Sequence, residues 1–396
     1  MPLKSKQMQI ELIQASLRAA NLDGWLFFDH HRRDPLAYRV LGLPDDLQPT
    51  RRWYYFLGAD GEPRKLVHRI ESGALDSLPG AKDLYSSWAE QQQKLHGLLN
   101  GAKRIAMQYS ANCAIPYVSL VDAGTIELVR GTGVEIVTSA DLVQEFESRL
   151  SEAQFQLHVE AGKLVDKVLR EAFDLVSHHL QSKKALTEYE LQQFIRGKFS
   201  HHGLQCDHGP IVAVNANASD PHYEPTCERT THIQAGDVLL IDLWAKLTQP
   251  GAVYHDITWT GFCGDAIPDA VQKVFEAVRD ARKRGSQFVI DRVSQHSSIA
   301  GFEVDDAVRG LIEDRGYGQY FFHRTGHSIG TEVHGTGANM DNLESHDERR
   351  ILSGSCFSIE PGIYLPEFGI RSEVNVYVGE GFATVTGQQQ EQMLHL

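Results

Sequence analysis

The sequence predicts a mixed α/β (α+β) chain of two domains, the second built from two copies of one half-domain. Three observations lead there. Apolar, strand-like runs alternate with helical periodicity along the first 150 residues. From Ser151 onward a succession of two helices and then strands occurs, and it returns about 117 residues later. Four acidic residues, Asp242, Asp256, Glu360 and Glu373, obey nearly the same offset.

Residues 1–150 read as one α/β domain. "QMQIELIQASLRAANLDG" has apolar residues at helical spacing, Met8, Leu12 and Ala15, and ends near Gly24. The strand-like runs "GWLFFD", "RRWYYFLG" and "RIAMQYS" follow, with helical stretches between them. No phosphate-cradling glycine loop and no catalytic constellation is visible here. The tryptophans and tyrosines read as core, and "TRRWYYF" is the one stretch expected to reach a neighbouring site.

Residues 151–396 form the second expected domain. "SEAQ" fits a capping box, in which Ser151 caps the first turn and Gln154 reaches back. Phe155, Val159, Val168, Leu169, Ala172 and Val176 then lie on one helical stripe. "TEYE", Thr187 to Glu190, opens a second helix, and the strands "PIVAVNA" and "DVLLIDLW" come after it. The order then recurs. A helix runs from Pro268 toward Gly285 with Val271, Val274, Phe275 and Val278 on one face, and another covers "EVDDAVRGLIEDRG". The period is too long for a solenoid unit. It fits a duplication about a pseudo-twofold axis, with a shared site between the halves.

Composition removes several function classes. Asp and Glu outnumber Lys and Arg by 52 to 38, so the net charge of -14 disfavours nucleic acid or an anionic membrane as partner. No run nears the roughly 18 apolar residues that span a bilayer. The start, "MPLKSKQMQIELIQASL", lacks the apolar core of a signal peptide. Cys113, Cys206, Cys227, Cys263 and Cys356 form no CxxC pair and read as reduced thiols, so a cytoplasmic location is expected.

The carboxylates carry the chemistry. Asp242 ends the apolar run "DVLLID" and Asp256 lies in "VYHDITWT"; Glu360 ends "CFSIE" and Glu373 lies in "GIRSEVNVYV". Ionised carboxylates gathered beside apolar strands are costly to bury without cations. One divalent ion would leave half their charge uncompensated, whereas two balance it and leave room for a bridging hydroxide. Oxygen ligands with one imidazole and no thiolate suit manganese, cobalt, iron or zinc, and the oxygen share favours manganese. "FFHRTGHSIGTEVHGTG" holds His323, His327 and His334 among Gly326, Gly330, Gly335 and Gly337. Such a stretch is either a solvated loop or backbone that must pass close to a metal or substrate. The carboxylates favour the second reading, with His327 as the imidazole ligand. Arg371 stands two residues before Glu373 and shares its face in a strand, which makes sense if an anionic substrate also lies there.

Together "DPHY", "IDLW", "HDITWT", "HRTGHSIGTEVH", "IEPGIY" and "IRSEV" resemble the pita-bread metallopeptidases, which include prolidase (Xaa-Pro dipeptidase), aminopeptidase P and methionine aminopeptidase. The resemblance runs from about residue 151 to the end. The preceding 150 residues are similar to the creatinase-like domain of the prolidase and aminopeptidase P branch. It implies that Asp242, Asp256, His327, Glu360 and Glu373 hold two metal ions, with Asp256 and Glu373 bridging. His222 in "DPHY" and His334 resemble the histidines that contact the substrate carbonyl, and His323 resembles the one that meets the proline end. Glu360 would also shuttle the proton to the leaving nitrogen.

The implied activity is hydrolysis of the Xaa-Pro bond of dipeptides by a metal-bridging hydroxide. The implied substrate is a small peptide with proline in the second position, and the implied assembly is a homodimer. An aminopeptidase P acting on longer peptides is the alternative, and a metal-free creatinase-like hydrolase is disfavoured because all five ligand types remain. His346, Arg349 and Arg350 are candidates for recognising the end of the substrate. Two departures bear on substrate preference. Trp244 stands where the family often has glycine, and Trp259 replaces a common arginine; the Asp242–Asp256 connection is also slightly long.

Overall fold

Unbroken apolar runs become central strands. In the computed structural model, which describes residues 6–44 and 46–396, every residue of β1 (Gly24–Asp29) and β2 (Trp53–Gly58) is buried. They pair antiparallel from Gly24↔Gly58 to Asp29↔Trp53. Alternate residues feed opposite faces. Trp25, Phe27, Trp53 and Tyr55 enter one core, while Leu26, Phe28, Tyr54 and Phe56 enter another. A strand covered on both faces reads as a continuous hydrophobic run. The aromatics of "TRRWYYF" are therefore core and not a reach toward a site.

The sheet continues with β3 (Arg64–His68), β4 (Ala81–Tyr85), β5 (Arg104–Met107) and β6 (Glu135–Thr138), in the order β4-β3-β2-β1-β5-β6. Helices α1 (Lys6–Ala19), α2 (Pro35–Leu41), α3 (Trp88–Leu98), α4 (Ala123–Arg130) and α5 (Ala140–Val143) connect and cover these strands. Helix α1 buries Ile10, Ile13 and Leu17, whereas Met8 and Leu12 are 46% and 41% exposed. The expected Met8–Leu12–Ala15 stripe is thus the wrong face. Both sets have helical spacing, and the isoleucines Ile10 and Ile13 with Leu17 are the ones buried. Met1–Ser5, part of the start that was read as free of a leader, lie outside the described residues.

The chain divides into two units, Met1–Glu147 and Ser148–Leu396. The second opens with α6 (Glu152–Ser182), capped reciprocally by Ser151 and Gln154, and α7 (Glu188–His201), capped the same way by Thr187 and Glu190. Strands β7 (Leu204–Gln205) and β8 (Ile211–Val214) pair with β9 (Val238–Leu247), which pairs antiparallel with β10 (His255–Phe262). Helices α8 (Asp269–Ser294) and α9 (Gly301–Asp314) follow. Then come β11 (Cys356–Ile359), β12 (Gly362–Tyr364), β13 (Gly369–Arg371), β14 (Val374–Val378), β15 (Ala383–Thr386) and β16 (Leu394–His395). The order helix, helix, strand, strand occurs twice.

The repeat is less regular than its offset suggested. Helix α9 begins at Gly301 rather than at Glu303, so its start follows that of α7 by 113 residues. Helix α8 also runs through Gly285 instead of stopping there. A Cβ at Gly285 would sit 2.5 Å from Val308 Cγ2 and 3.2 Å from Ile359 Cγ2. This glycine lets α8 lie close against α9 and β11, and is no terminator. Among the described residues, no helix is long and apolar enough to cross a membrane.

Candidate metal centre

Strand alternation gathers the first two carboxylates. In the β9–β10 register Asp256 faces Trp244, and Thr258 faces Asp242. Residues two apart share a face, so Asp242, Trp244, Asp256 and Thr258 stand on one side. Leu239, Ile241, Leu243 and Ile257 fill the core on the other side with α6 residues such as Val165 and Leu169. Trp259 packs against that second core, away from the carboxylates, while Trp244 belongs to the site face.

The second half delivers its carboxylates at breaks in strands, not inside them. Glu360 follows β11, and Glu373 falls between β13 and β14. The chain changes partners there, since β13 pairs with β12 and β14 with β11. Freed from that ladder, Glu373 N donates to Thr258 O at 3.0 Å. His327 comes from irregular backbone alongside β11, where Ser358 N donates to His327 O (2.9 Å). A Cβ at Gly326 would lie 1.9 Å from Ser358 O. Glycine there is what lets this segment approach β11. Helix α9 holds the segment from the other side: Asp305 accepts from Thr325 N (3.0 Å), and Arg309 donates to Phe321 O (2.9 Å) and His323 O (2.8 Å).

Asp256, His327 and Glu373 are buried and each offers a ligand atom within 4.8 Å of the others. His327 Nε2 lies 3.6 Å from Asp256 Oδ2 and 3.4 Å from Glu360 Oε1. Its Nδ1–H donates to Ser328 O (3.2 Å), which leaves the Nε2 lone pair facing two carboxylates. Asp242 Oδ1, Asp256 Oδ1 and Glu373 Oε1 are buried without a hydrogen-bond partner among the described residues. Burial and the neighbouring carboxylates push the proton affinities of Asp256 and Glu373 far above the usual range, and burial pushes Glu360 upward too. An array of lone pairs with no donors repels itself, and a bound divalent cation removes that repulsion. The donor set, rich in oxygen and free of thiolate, fits such an ion.

Arg371 does not stand free. Its guanidinium donates to Asp242 Oδ2 (2.5 Å), Tyr364 Oη (3.0 Å) and Thr258 Oγ1 (3.2 Å), and Thr258 Oγ1 in turn donates to Glu373 Oε2 (2.8 Å). His323 Nδ1–H donates to Arg324 O (2.6 Å), so Nε2 accepts from the Tyr364 hydroxyl at 2.7 Å. Tyr364 therefore joins His323 to Arg371. Its sequence signal was only its place in "IEPGIY".

His334 is exposed and edge-on to the His327 ring, with centroids 4.4 Å apart. The neighbouring His327 pushes its imidazole down to about 3, with Arg324, His222 and His208 contributing in the same direction. Those two histidines therefore stand near it. His222 is exposed, and His208 meets the Trp244 ring at 4.8 Å. His208 escaped the sequence reading, since nothing in "CDHGP" marks it. Arg349 is unavailable for substrate: it is buried, forks onto Asp347 and donates to Thr336 O at 2.6 Å. His346 is exposed and bonded to Asn342 Oδ1 (2.6 Å).

Comparison with known proteins agrees with this architecture. Residues 156–380 match metallopeptidase family M24. An uncharacterized peptidase of Schizosaccharomyces pombe is 35% identical over 195 residues, 48% of this chain and 40% of the relative. The Xaa-Pro dipeptidase of Lactobacillus delbrueckii subsp. lactis is 30% identical over 233 residues, 58% of each chain. The chain thus spans about half the length of the curated relatives it matches. The fold is similar to that of dipeptidase PepE from Mycobacterium ulcerans, with TM-score 0.72, 24% identity and coverage of 98% and 97%. It is also similar to a prolidase from Thermococcus sibiricus, with TM-score 0.68, 22% identity and full coverage of both chains.

Proposed function

The chain belongs to metallopeptidase family M24, and from that membership we propose that it hydrolyses the Xaa-Pro bond of dipeptides with two divalent ions, manganese foremost. One observation carries the reading. Three buried carboxylate oxygens, on Asp242, Asp256 and Glu373, have no donor among the described residues, and His327 Nε2 faces two further carboxylate oxygens. Asp242, Asp256, His327, Glu360 and Glu373 would hold the ions, with Asp256 and Glu373 shared between them. When bound, such ions lower the proton affinity of water and polarise a carbonyl.

The remaining roles fall to side chains. The Glu360 side chain is more open than those of Asp242 and Asp256, at 17% against 11% and 6%. It would carry the proton to the leaving nitrogen. His334, against the His327 ring, and the exposed His222 would donate to the oxygen that gains charge. His323 and Arg371 would meet the proline end of the substrate. Arg371 spends three of its five N–H donors on Thr258, Tyr364 and Asp242, which would leave two for a substrate carboxylate. An Xaa-Pro bond lacks an amide hydrogen, so a site that asks for none there suits it.

Elemental analysis of the purified protein, with turnover of Ala-Pro and Ala-Pro-Ala before and after chelation, is the test. About two manganese ions per chain, Ala-Pro cleaved faster, and activity lost on chelation and regained with Mn2+ are expected. Full activity after metal removal would sink the reading, while faster cleavage of the tripeptide would turn it toward an aminopeptidase.

A further inference from the structure

Strand β10 is paired along its length by β9 on one edge, but on the other edge only Gly261 and Phe262 meet β16. Asp256, Thr258 and Thr260 direct their backbone groups to that open edge. The Glu373 peptide meets Thr258 there, and two side-chain amides close the positions on either side. Asp256 N donates to Asn375 Oδ1 (2.9 Å), and Asn375 Nδ2 donates to Asp256 O (2.6 Å). Thr260 N donates to Gln390 Oε1 (2.9 Å), and Gln390 Nε2 donates to Thr260 O (2.6 Å). Each carboxamide takes both bonds of one residue, as a neighbouring strand would. Both are buried, at 0% and 1% exposure.

The Asn375 pair has a second property that the Gln390 pair lacks. Asn375 lies two residues beyond Glu373, as Thr258 lies two beyond Asp256, so both pairs are 117 positions apart. Thr258 holds Glu373 through its carbonyl (3.0 Å) and its hydroxyl (2.8 Å), while Asn375 holds the peptide of Asp256. Each half of the domain thus anchors the shared carboxylate of the other.

We infer that Asn375 is a positioning residue for the metal centre, fixing Asp256 relative to Glu373 by acting as the missing strand partner of β10. The inference rests on the proposed reading that these two carboxylates share the metal ions. Without the amide, the Asp256 peptide is free to turn on its open edge and its carboxylate loses its fixed distance to Glu373. Partners that orient metal ligands typically matter about 10- to 100-fold in metal affinity. Asn375 contacts no substrate in this account and acts only through Asp256.

The Gln390 pair supplies the control, since it makes the same two bonds on the same edge four residues farther along. Metal-free wild type, Asn375→Ala and Gln390→Ala are titrated with Mn2+ by calorimetry, and the melting temperature of each metal-free protein is measured. Both variants should melt lower than wild type by similar amounts. Asn375→Ala should bind Mn2+ at least about tenfold more weakly, while Gln390→Ala should match wild type. Should Asn375→Ala not fold, Asn375→Thr keeps a strand-favouring side chain and one hydroxyl for the Asp256 N–H, and it should fall between. Wild-type affinity in the Asn375 variant, or equal weakening in both, overturns the inference. A wild type that binds no Mn2+ strikes the function reading instead.

Discussion

His323, His327 and His334 crowd one glycine-rich segment, yet their ring nitrogens do different things. His327 spends Nδ1 on a carbonyl and turns Nε2 to Asp256 and Glu360. His323 has both nitrogens engaged, and His334 lies exposed against the His327 ring. Their alanine variants should therefore fail differently. His327→Ala is expected to lose bound metal. His334→Ala should keep metal but lose about 100- to 1,000-fold in kcat, the effect of one donor to a developing oxyanion. His323→Ala should keep metal and chiefly raise KM, because it frees the Tyr364 hydroxyl next to Arg371. Metal analysis with steady-state kinetics separates these outcomes, and three variants with full metal and equal rates would make the segment a mere loop. The acidic residues could be picked out from the sequence because duplication repeats them at one interval. Tyr364, His208 and Asn375 could not, because each acts through a partner at least 36 residues away in the chain.

At the scale of elements, what is local was readable. The capping boxes at Ser151 and Thr187 need only four residues, and both form as expected. Strands β3, β4 and β6 were missed because they carry charge at half-buried or edge positions, such as "RKLVH" and "AKDLY". Charged edges are how sheets avoid pairing with other chains. Helix α2 shows a cost that composition hides. Its cap Asp34 accepts from Ala37 N (3.0 Å) but is 2% exposed, with Oδ2 unpartnered. Burial, opposed by that N–H and reinforced by nearby Asp29, pushes its carboxyl up to about 7. The folded chain then holds this proton more tightly than the unfolded chain, whose carboxyl titrates near 3.9. The stabilisation is complete below about pH 4 and is lost as pH rises through about 7. Asp34→Asn keeps the cap acceptor and cannot ionise. Its urea midpoint should therefore fall less between pH 5 and pH 8 than that of wild type, and equal falls would reject the account.

On the scale of the whole molecule, the proposed centre would draw Asp242 and Asp256 from one half of the second unit and His327, Glu360 and Glu373 from the other. Metal should therefore stabilise the assembled halves and not the unfolded chain. At a free Mn2+ concentration 100 times the dissociation constant, one site contributes about 2.7 kcal/mol. Hydrogen exchange should slow in β9, β10 and β14 when Mn2+ is added, and exchange unchanged by bound metal would contradict it. The sequence alone determined the α/β class, the recurring order of the second part and the family resemblance, and it singled out the acidic residues, since periodicity, caps and a fixed interval are written along the chain. Only the tertiary structure decided which way those residues face and what each one touches. It buried Ile10 instead of Met8, tied Arg371 to Asp242, locked Arg349 onto Asp347, and turned Trp244 toward the carboxylates but Trp259 away. The facings of Trp244 and Trp259 depend on strand register, and the Arg371–Asp242 pair joins segments more than 100 residues apart. A one-residue slip in register reverses every facing, and no local pattern encodes the partner across the gap.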